Sequence, residues 1–326
     1  MTNNISEKTN SSNTSLEKIN LVIATDNFLP RRDGVVSFLL EIIPSLKDEC
    51  NLTIICPDAK DSSMRPDIPG VSFIFIPLSK KSAGDFTFAK FSPRKIYSSI
   101  KKADIIFSQT LGPIGASAVF LSQRLGKKNV SFIHSIDWEL ASKALSKTFL
   151  KWLVRGFTKT IAKHLYSRST HLLIPSESIS EILLWKKINT PRTIIHLGVD
   201  TKKFKPLNDQ RLRNKQRELI GLDLEDVAIV YHGRLAREKD LPTLLRAFAL
   251  VQKKFYSAKL VIIGSGLSEI SARLENKKNI IHIPSTPHPE KYLPLCDMYC
   301  LPSFTETTSL GTLEAMSCQL PVLATP

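Results

Sequence analysis

Two glutamates, Glu306 and Glu314, stand eight positions apart, separated mainly by hydroxyl and glycine residues. A mainly apolar run from Asp297 to Pro302 precedes them. The spacing therefore predicts strand, short loop and helix, with Glu306 in the loop and Glu314 about two turns into the helix. Ser309, Leu310, Gly311 and Thr312 would open that helix. Small residues there let a ligand approach backbone N–H groups that have no helical partner, a setting suited to phosphate. A carboxylate deeper in the helix can accept hydrogen bonds from two vicinal hydroxyls, as on a ribose. The pattern suits a sugar nucleotide, with phosphates at the helix mouth and one carboxylate for each sugar.

A second group lies upstream. The apolar run Val227–Tyr231 leads through His232 and Gly233 to Arg234 and, five positions on, Lys239. Both cations could converge on a diphosphate, arginine as a planar fork and lysine as a point charge. Leu260–Ile263 runs into Gly264-Ser265-Gly266, a strand followed by a glycine-rich turn. In the first half, Ile19–Thr25 reads as a buried parallel strand. It enters a loop containing Gly34 and then a helix to about Leu46, with no G-x-G-x-x-G. Val130–His134 reads as another strand, and it delivers His134 and Asp137 to its carboxyl end, where open α/β sheets bind ligands.

The elements that must position these residues follow from the rest of the chain. Short apolar strands at Leu52–Cys56, Val71–Pro77, Asp104–Ser108 and Asn279–Ile283 alternate with helical stretches. That alternation predicts an α/β chain with doubly wound parallel sheets. At 326 residues there is room for two domains. Residues 1–18 read as a disordered tail, 19–206 as one Rossmann-like domain and 207–326 as a second, with the boundary near Pro206.

These motifs together resemble the retaining glycosyltransferases of the GT4 type, which have the GT-B fold. The E-x7-E signature is carried by Glu306 and Glu314, followed by Ala315-Met316. Gly233-Arg234-Leu235 with Lys239 matches the family's glycine–arginine–lysine pattern, and Gly198-Val199-Asp200 with Phe204 and Pro206 matches its interdomain segment. The resemblance covers nearly everything from Leu21 onward. It implies two Rossmann-like domains facing a cleft and transfer of a sugar from a nucleotide donor, such as a UDP- or GDP-sugar, without a metal. It implies that Glu306 holds donor-sugar hydroxyls, Glu314 the ribose, and Arg234 and Lys239 the diphosphate. Gly34 and His134 then face the donor phosphate and the transferred sugar, and Gly264, Ser309, Leu310 and Gly311 line the nucleotide. Asp33 stands where the family more often has a glycine, His232 replaces a small or apolar residue, and Pro284 replaces a glycine. His232 receives no role.

The stretch Lys147–Arg168 carries two stripes. Lys147, Lys151, Arg155, Lys159 and Lys163 recur every four residues, as do Phe149, Leu153, Phe157, Ile161 and Leu165. The offset of two residues puts the stripes roughly 160° apart on a helix. Either the helix packs its apolar stripe on the sheet with the basic face solvated, or the basic face meets anionic headgroups. Net charge is +15, and it is uneven. Up to Pro206 there are 30 Lys+Arg against 17 Asp+Glu, and from Leu207 there are 15 against 13. The basic first half favours an anionic partner such as a membrane surface or a lipid acceptor. Nucleic-acid-binding motifs are absent, so no nucleic acid is expected.

Hydrophobic content of 42% indicates a globular chain, and no apolar run reaches membrane-spanning length. The five cysteines form no Cys-x-x-Cys pair, which fits free thiols in a cytoplasmic protein, with peripheral attachment to the inner face of a membrane expected. The expected activity is retaining hexosyl transfer in glycolipid biosynthesis. A non-catalytic nucleotide-sugar-binding protein and another GT-B activity, such as a sugar-nucleotide epimerase, remain as alternatives. Compared with the family, the second domain looks C-terminally short. That predicts exposed apolar strand surface, weak or no activity and a tendency to aggregate.

Overall fold

The computed structural model describes residues 18–59, 61–83, 86–139, 148–274 and 277–325. The tail expected over the first 18 residues lies outside them except for Lys18, as do Lys147 and Pro326.

Two parallel sheets organise the chain. The first has seven strands: β1 (Ile19–Ala24), β2 (Cys50–Pro57), β3 (Val71–Ile76), β6 (Ile105–Ser108), β7 (Lys128–Phe132), β8 (His171–Ile174) and β9 (Arg192–Ile194). Their order is β3-β2-β1-β6-β7-β8-β9. A separate antiparallel pair, β4 (Leu78–Ala83) and β5 (Phe86–Ala89), follows β3. The second sheet has five strands: β10 (Val227–His232), β11 (Ala258–Ile263), β12 (Ile280–Ile283), β13 (Met298–Leu301) and β14 (Val322–Ala324). Their order is β12-β11-β10-β13-β14.

Side chains alternate across a strand, so β1 reads as a continuous apolar run because both of its faces are covered. Leu21 and Ile23 enter a core with Leu39 and Ile43 of helix α1 (Gly34–Glu49). Val22 and Ala24 point the other way. They join Ile96 and Ile100 of α2 (Pro93–Lys102) and Ile114 and Ala118 of α3 (Pro113–Arg124). Helix α4 (Thr148–Tyr166) and helix α5 (Glu177–Trp185) cover the β7–β8 end of the sheet through Ala162, Tyr166, Ile179 and Leu183. The second sheet has its own core, in which Val230, Tyr231, Val261 and Ile262 are fully buried.

In the second sheet, α6 (Gln210–Leu219) is tied down by charge rather than by an apolar stripe. Arg217 is buried and donates to the Leu295 carbonyl at 2.7 Å, and it pairs with Asp297 at 3.2 Å. Arg213 reaches the same carboxylate at 2.7 Å. Helices α7 (Leu241–Gln252), α8 (Ser268–Ser271) and α9 (Leu310–Ser317) complete this half.

Each sheet reverses its strand order once, between β1 and β6 and between β10 and β13. Ligands of open α/β sheets bind beyond the carboxyl ends of strands at such reversals. The segments that follow β1, β10 and β13 carry Gly34, Arg234 and Glu306, so topology selects these three regions.

Three sequence expectations change. Gly34 is not in the loop but is the first residue of α1, where Asp33 is the N-cap and accepts from the Val36 amide at 3.1 Å. Gly34 lies outside the left-handed region, so the chain path does not require a glycine there. Strand β7 ends at Phe132, two residues before His134. Helix α4 does not turn its apolar stripe inward along its whole length: Leu153 and Phe157 are exposed, and the helix packs through Ala162, Leu165 and Tyr166 instead. On the outer strand β14, Val322 and Leu323 face solvent.

Candidate active site

The loop after β10 is shaped by close backbone packing. A Cβ on Gly264 would lie 2.0 Å from the Gly233 carbonyl oxygen, and Gly264 has φ 146°, so the turns after β10 and β11 nest only if that residue is glycine. Two buried tyrosines support the adjoining chain from below. Tyr231 donates from its hydroxyl to the Arg234 carbonyl at 2.6 Å. The Tyr299 hydroxyl donates to the His232 carbonyl at 3.2 Å. Burial raises the Tyr299 hydroxyl pKa, which keeps it a donor at neutral pH.

Arg234 pairs with Glu238, which is buried. Lys239 pairs with Glu306. The two loops are also joined through the backbone, since the Glu238 carbonyl accepts from the Phe304 amide at 2.8 Å and from Ser303 Oγ at 3.1 Å. Arg234, Lys239 and Glu306 are thus brought to one place.

Glu314 is the fifth residue of α9, about one and a half turns in rather than two. Ser309 is the N-cap and accepts from the Thr312 amide, and no acidic residue occupies the first turn. The mouth of α9 therefore carries a neutral cap and no acidic residue in its first turn, which suits an anion. Gly311 lets α9 pack closely on the ends of β10 and β13, since a Cβ there would stand 2.8 Å from both the His232 carbonyl oxygen and the Tyr299 hydroxyl.

His232, which received no role from the sequence, faces this helix. Its Nδ1 lies 2.8 Å from Glu314 Oε2, but at an angle that makes no hydrogen bond. Both atoms, and Thr312 Oγ1, are buried without a hydrogen-bond partner among the described residues. Such atoms are costly to leave unpaired, and hydroxyls of a ligand could satisfy them. The available signal was position: His232 immediately precedes Gly233 and Arg234.

The first domain contributes the opposite wall. Gly34 faces the second domain directly, with its Cβ position 3.9 Å from Leu310 Cδ1, so the first residues of α1 and α9 meet across the cleft. The Thr307 hydroxyl donates to the His134 carbonyl, linking the E-x7-E loop to the end of β7. The His134 ring packs on Phe132 at 4.4 Å and edge-on to Phe38 at 5.1 Å. Its Nε2 is 2.8 Å from Gln109 Oε1. Burial depresses its pKa to about 3, so the ring is neutral at physiological pH.

Asp33 is engaged by its own helix and by Asn27 and Arg31, at 2.9 and 3.2 Å. The N-terminus of α1 thus already holds a carboxylate, whereas that of α9 does not. Asp26 lies below the cleft, buried, accepting from the Ile114 and Gly115 amides at 2.9 and 3.1 Å, and burial raises its pKa. Asp137 takes the Tyr166 hydroxyl as donor, and burial pushes its pKa up to about 6. Among the described residues no three His, Cys, Asp or Glu side chains converge to hold a metal. The five cysteines are free.

Comparison with known proteins places this arrangement. The alpha-monoglucosyldiacylglycerol synthase of Streptococcus pneumoniae is 23% identical over 314 residues, spanning 92% of this chain and 69% of that protein. The protein of the same name from Acholeplasma laidlawii is 21% identical over 316 residues, spanning 92% and 79%. The crystal structure of Anabaena HepE in complex with UDP and glucose superposes with a TM-score of 0.73 at 14% identity, covering 94% of this chain and 80% of that one. WaaG, a glycosyltransferase involved in lipopolysaccharide biosynthesis, superposes with a TM-score of 0.70 at 11% identity, covering 93% and 80%. These likenesses show the GT-B fold, two Rossmann-like domains facing a cleft. The family model for glycosyl transferases group 1 matches residues 213–326. The model for Glycosyltransferase Family 4 matches residues 32–203, more than half of the chain, and the chain belongs to that family.

Proposed function

We propose that the protein transfers a hexose from a nucleotide-sugar donor to a lipid or lipid-linked acceptor at a membrane surface, with retention of anomeric configuration. The observation that carries this reading is the Lys239–Glu306 pair beside the neutrally capped mouth of α9, facing Gly34 and His134 across the cleft. Arg234 and Lys239 are the cations for the donor diphosphate. Binding moves Lys239 from Glu306 to a phosphate oxygen and frees the Glu306 carboxylate for hydroxyls of the sugar. Glu314 takes the ribose hydroxyls, beside the unpartnered Nδ1 of His232. Gly264 and Ser309–Gly311 line the nucleotide, and the neutral His134 presents its carbonyl and ring to the transferred sugar.

In the reaction, the bond from the anomeric carbon to the leaving phosphate oxygen breaks, and the acceptor oxygen bonds to that carbon from the same face. The acceptor proton passes to the leaving phosphate, so no side chain is needed as general base. Positive charge from Arg234 and Lys239 stabilises the charge growing on the diphosphate, the role a divalent metal fills in other transferases. Activity is therefore expected to persist in EDTA.

The names of the relatives support a diacylglycerol-type acceptor, and the basic first half supports peripheral attachment to the cytoplasmic face of a membrane. The test is a screen of UDP- and GDP-sugars against lipid extract and soluble acceptors, with mass spectrometry of the product. The expected result is a lipid heavier by one hexose, with nucleoside diphosphate released only when acceptor is present. Failure of every donor to give acceptor-dependent release would leave a binding protein rather than a transferase.

A further inference from the structure

Helices α4 and α5 are neighbours on one face of the first sheet. Ala162 and Tyr166 of α4 share a buried cluster with Ile179 and Leu183 of α5. Their outward sides are unusual. Trp152 is 72% exposed, Phe157 69% and Trp185 79%, and Leu153 and Leu184 beside them are also exposed. Scattered apolar residues on a surface need no explanation, but three large rings on two adjoining helices do.

Cations are interleaved with these rings. Lys186 Nζ sits 3.7 Å over the Trp185 ring. Desolvation, then the charges of Lys159 and Arg155, hold the Lys186 ammonium below its usual pKa. Arg155 is paired with Glu139. Among the described residues, neither Lys159 nor Lys163 meets a carboxylate, and both are exposed. Rings with a polar edge beside long cations suit the boundary between headgroups and acyl chains. There the ring body enters the apolar region and ammonium groups reach anionic headgroups.

The location is consistent with such a role. A right-handed crossover starts its helix at the carboxyl ends of the strands, the end that bears His134. Trp152 and Phe157 fall in the first ten residues of α4, within about 15 Å of that end. A bilayer against this patch would lie close to the mouth of the cleft.

We propose that Trp152, Phe157 and Trp185 form a membrane-docking surface whose rings enter the headgroup boundary of an anionic bilayer while Lys159 and Lys186 contact its headgroups. This rests on the lipid-acceptor reading for its purpose, but not for its test.

The experiment uses the full chain with no donor or acceptor. The sequence has three tryptophans, and Trp138 is buried, so quenching by brominated acyl chains reports on Trp152 and Trp185. Vesicles of brominated phosphatidylglycerol should quench the emission, and those of phosphatidylcholine alone should not. The double variant Trp152→Ser/Trp185→Ser should lower partitioning, measured by flotation, by about tenfold or more, with an unchanged melting temperature. Unquenched emission on phosphatidylglycerol, or equal binding to both vesicle types that salt does not change, overturns the proposal. So does a concentration-dependent dimer, seen by light scattering, that the double variant abolishes, because the rings would then cover a second copy. Bilayer binding without any glycosyl transfer would retain this surface and refute the acceptor reading.

Discussion

The two halves of the molecule treat their charges differently. In the second domain four cations are already neutralised within the chain: Arg234 by Glu238 and Lys239 by Glu306 at the cleft, and Arg213 and Arg217 by Asp297 at the amino end of β13. On the outer face of α4 and α5, lysines stand beside exposed rings and, among the described residues, Arg155 alone is paired with a carboxylate. An internally paired site exchanges one partner for another when it binds, so its geometry is set before the ligand arrives. A surface with unpaired cations has no internal substitute and responds to whatever charge is nearby, over a distance that salt shortens.

The sharpest test of this contrast is Arg217→Leu. Its guanidinium is buried, donating to the Leu295 and Asp226 carbonyls and pairing with Asp297, and removing it takes one donor from each of these acceptors. The expected loss is about 3–5 kcal/mol in urea unfolding of the second domain. A loss under about 1 kcal/mol would mean that the pairing there is incidental.

Next come the cleft cations. Arg234→Ala and Lys239→Ala are each expected to lower turnover by about a hundredfold or more, the scale of losing a charge partner in the transition state. Near-normal turnover in either purified variant ends its assignment to the diphosphate. Glu306→Gln removes the internal partner of Lys239, and it should weaken turnover more than it weakens binding of the free nucleoside diphosphate.

A smaller effect is expected from His134. Its pKa is depressed from 6.5 to about 3 in the fold, so the unfolded chain binds the extra proton first. Its contribution to stability is complete above pH 6.5 and is lost as pH falls from there toward 3, at up to about 1.4 kcal/mol per pH unit. Asp137 acts oppositely: its pKa is raised to about 6, so it costs stability as pH rises from about 4 to 6. Between pH 4 and 6 the two slopes oppose each other, so the unaltered chain gains little net pH dependence from this pair. His134→Asn should then shift melting toward lower stability as pH rises over that range, and Asp137→Asn toward lower stability as pH falls.

The smallest expected effect is at the exposed pair. Arg155→Ala should cost less than about 1 kcal/mol, because its contact with Glu139 is on the surface and screened. A loss comparable to that of Arg217→Leu would erase the distinction between the two regions.

Much of the framework was legible because it follows from short-range pattern. Parallel strands covered on both faces must be continuously apolar, which located β1, β10 and β11 within a residue or two. The loop bearing Glu306 and the helix bearing Glu314 were placed by hydroxyl residues at a helix start. The helix at 148–166 was legible as a helix, but its orientation was not. Two stripes offset by two residues do not say which faces the sheet, and the answer depended on Ala162 and Tyr166 fitting against Ile179 and Leu183.

The sequence by itself determined the strand–loop–helix units, the family, and the residue types proposed to meet a sugar nucleotide, because periodicity and motif spacing are local properties. Only the tertiary structure decided which groups meet: Lys239 with Glu306, Gly34 with Leu310, Thr307 with the His134 carbonyl, and His232 with Glu314. Each pair joins segments distant in the chain, and packing brings them together through strand order and the approach of two domains. His232 shows this most plainly. In the sequence it departs from the family pattern without a reason, and in the fold its ring shares a buried corner with the carboxylate assigned to the ribose.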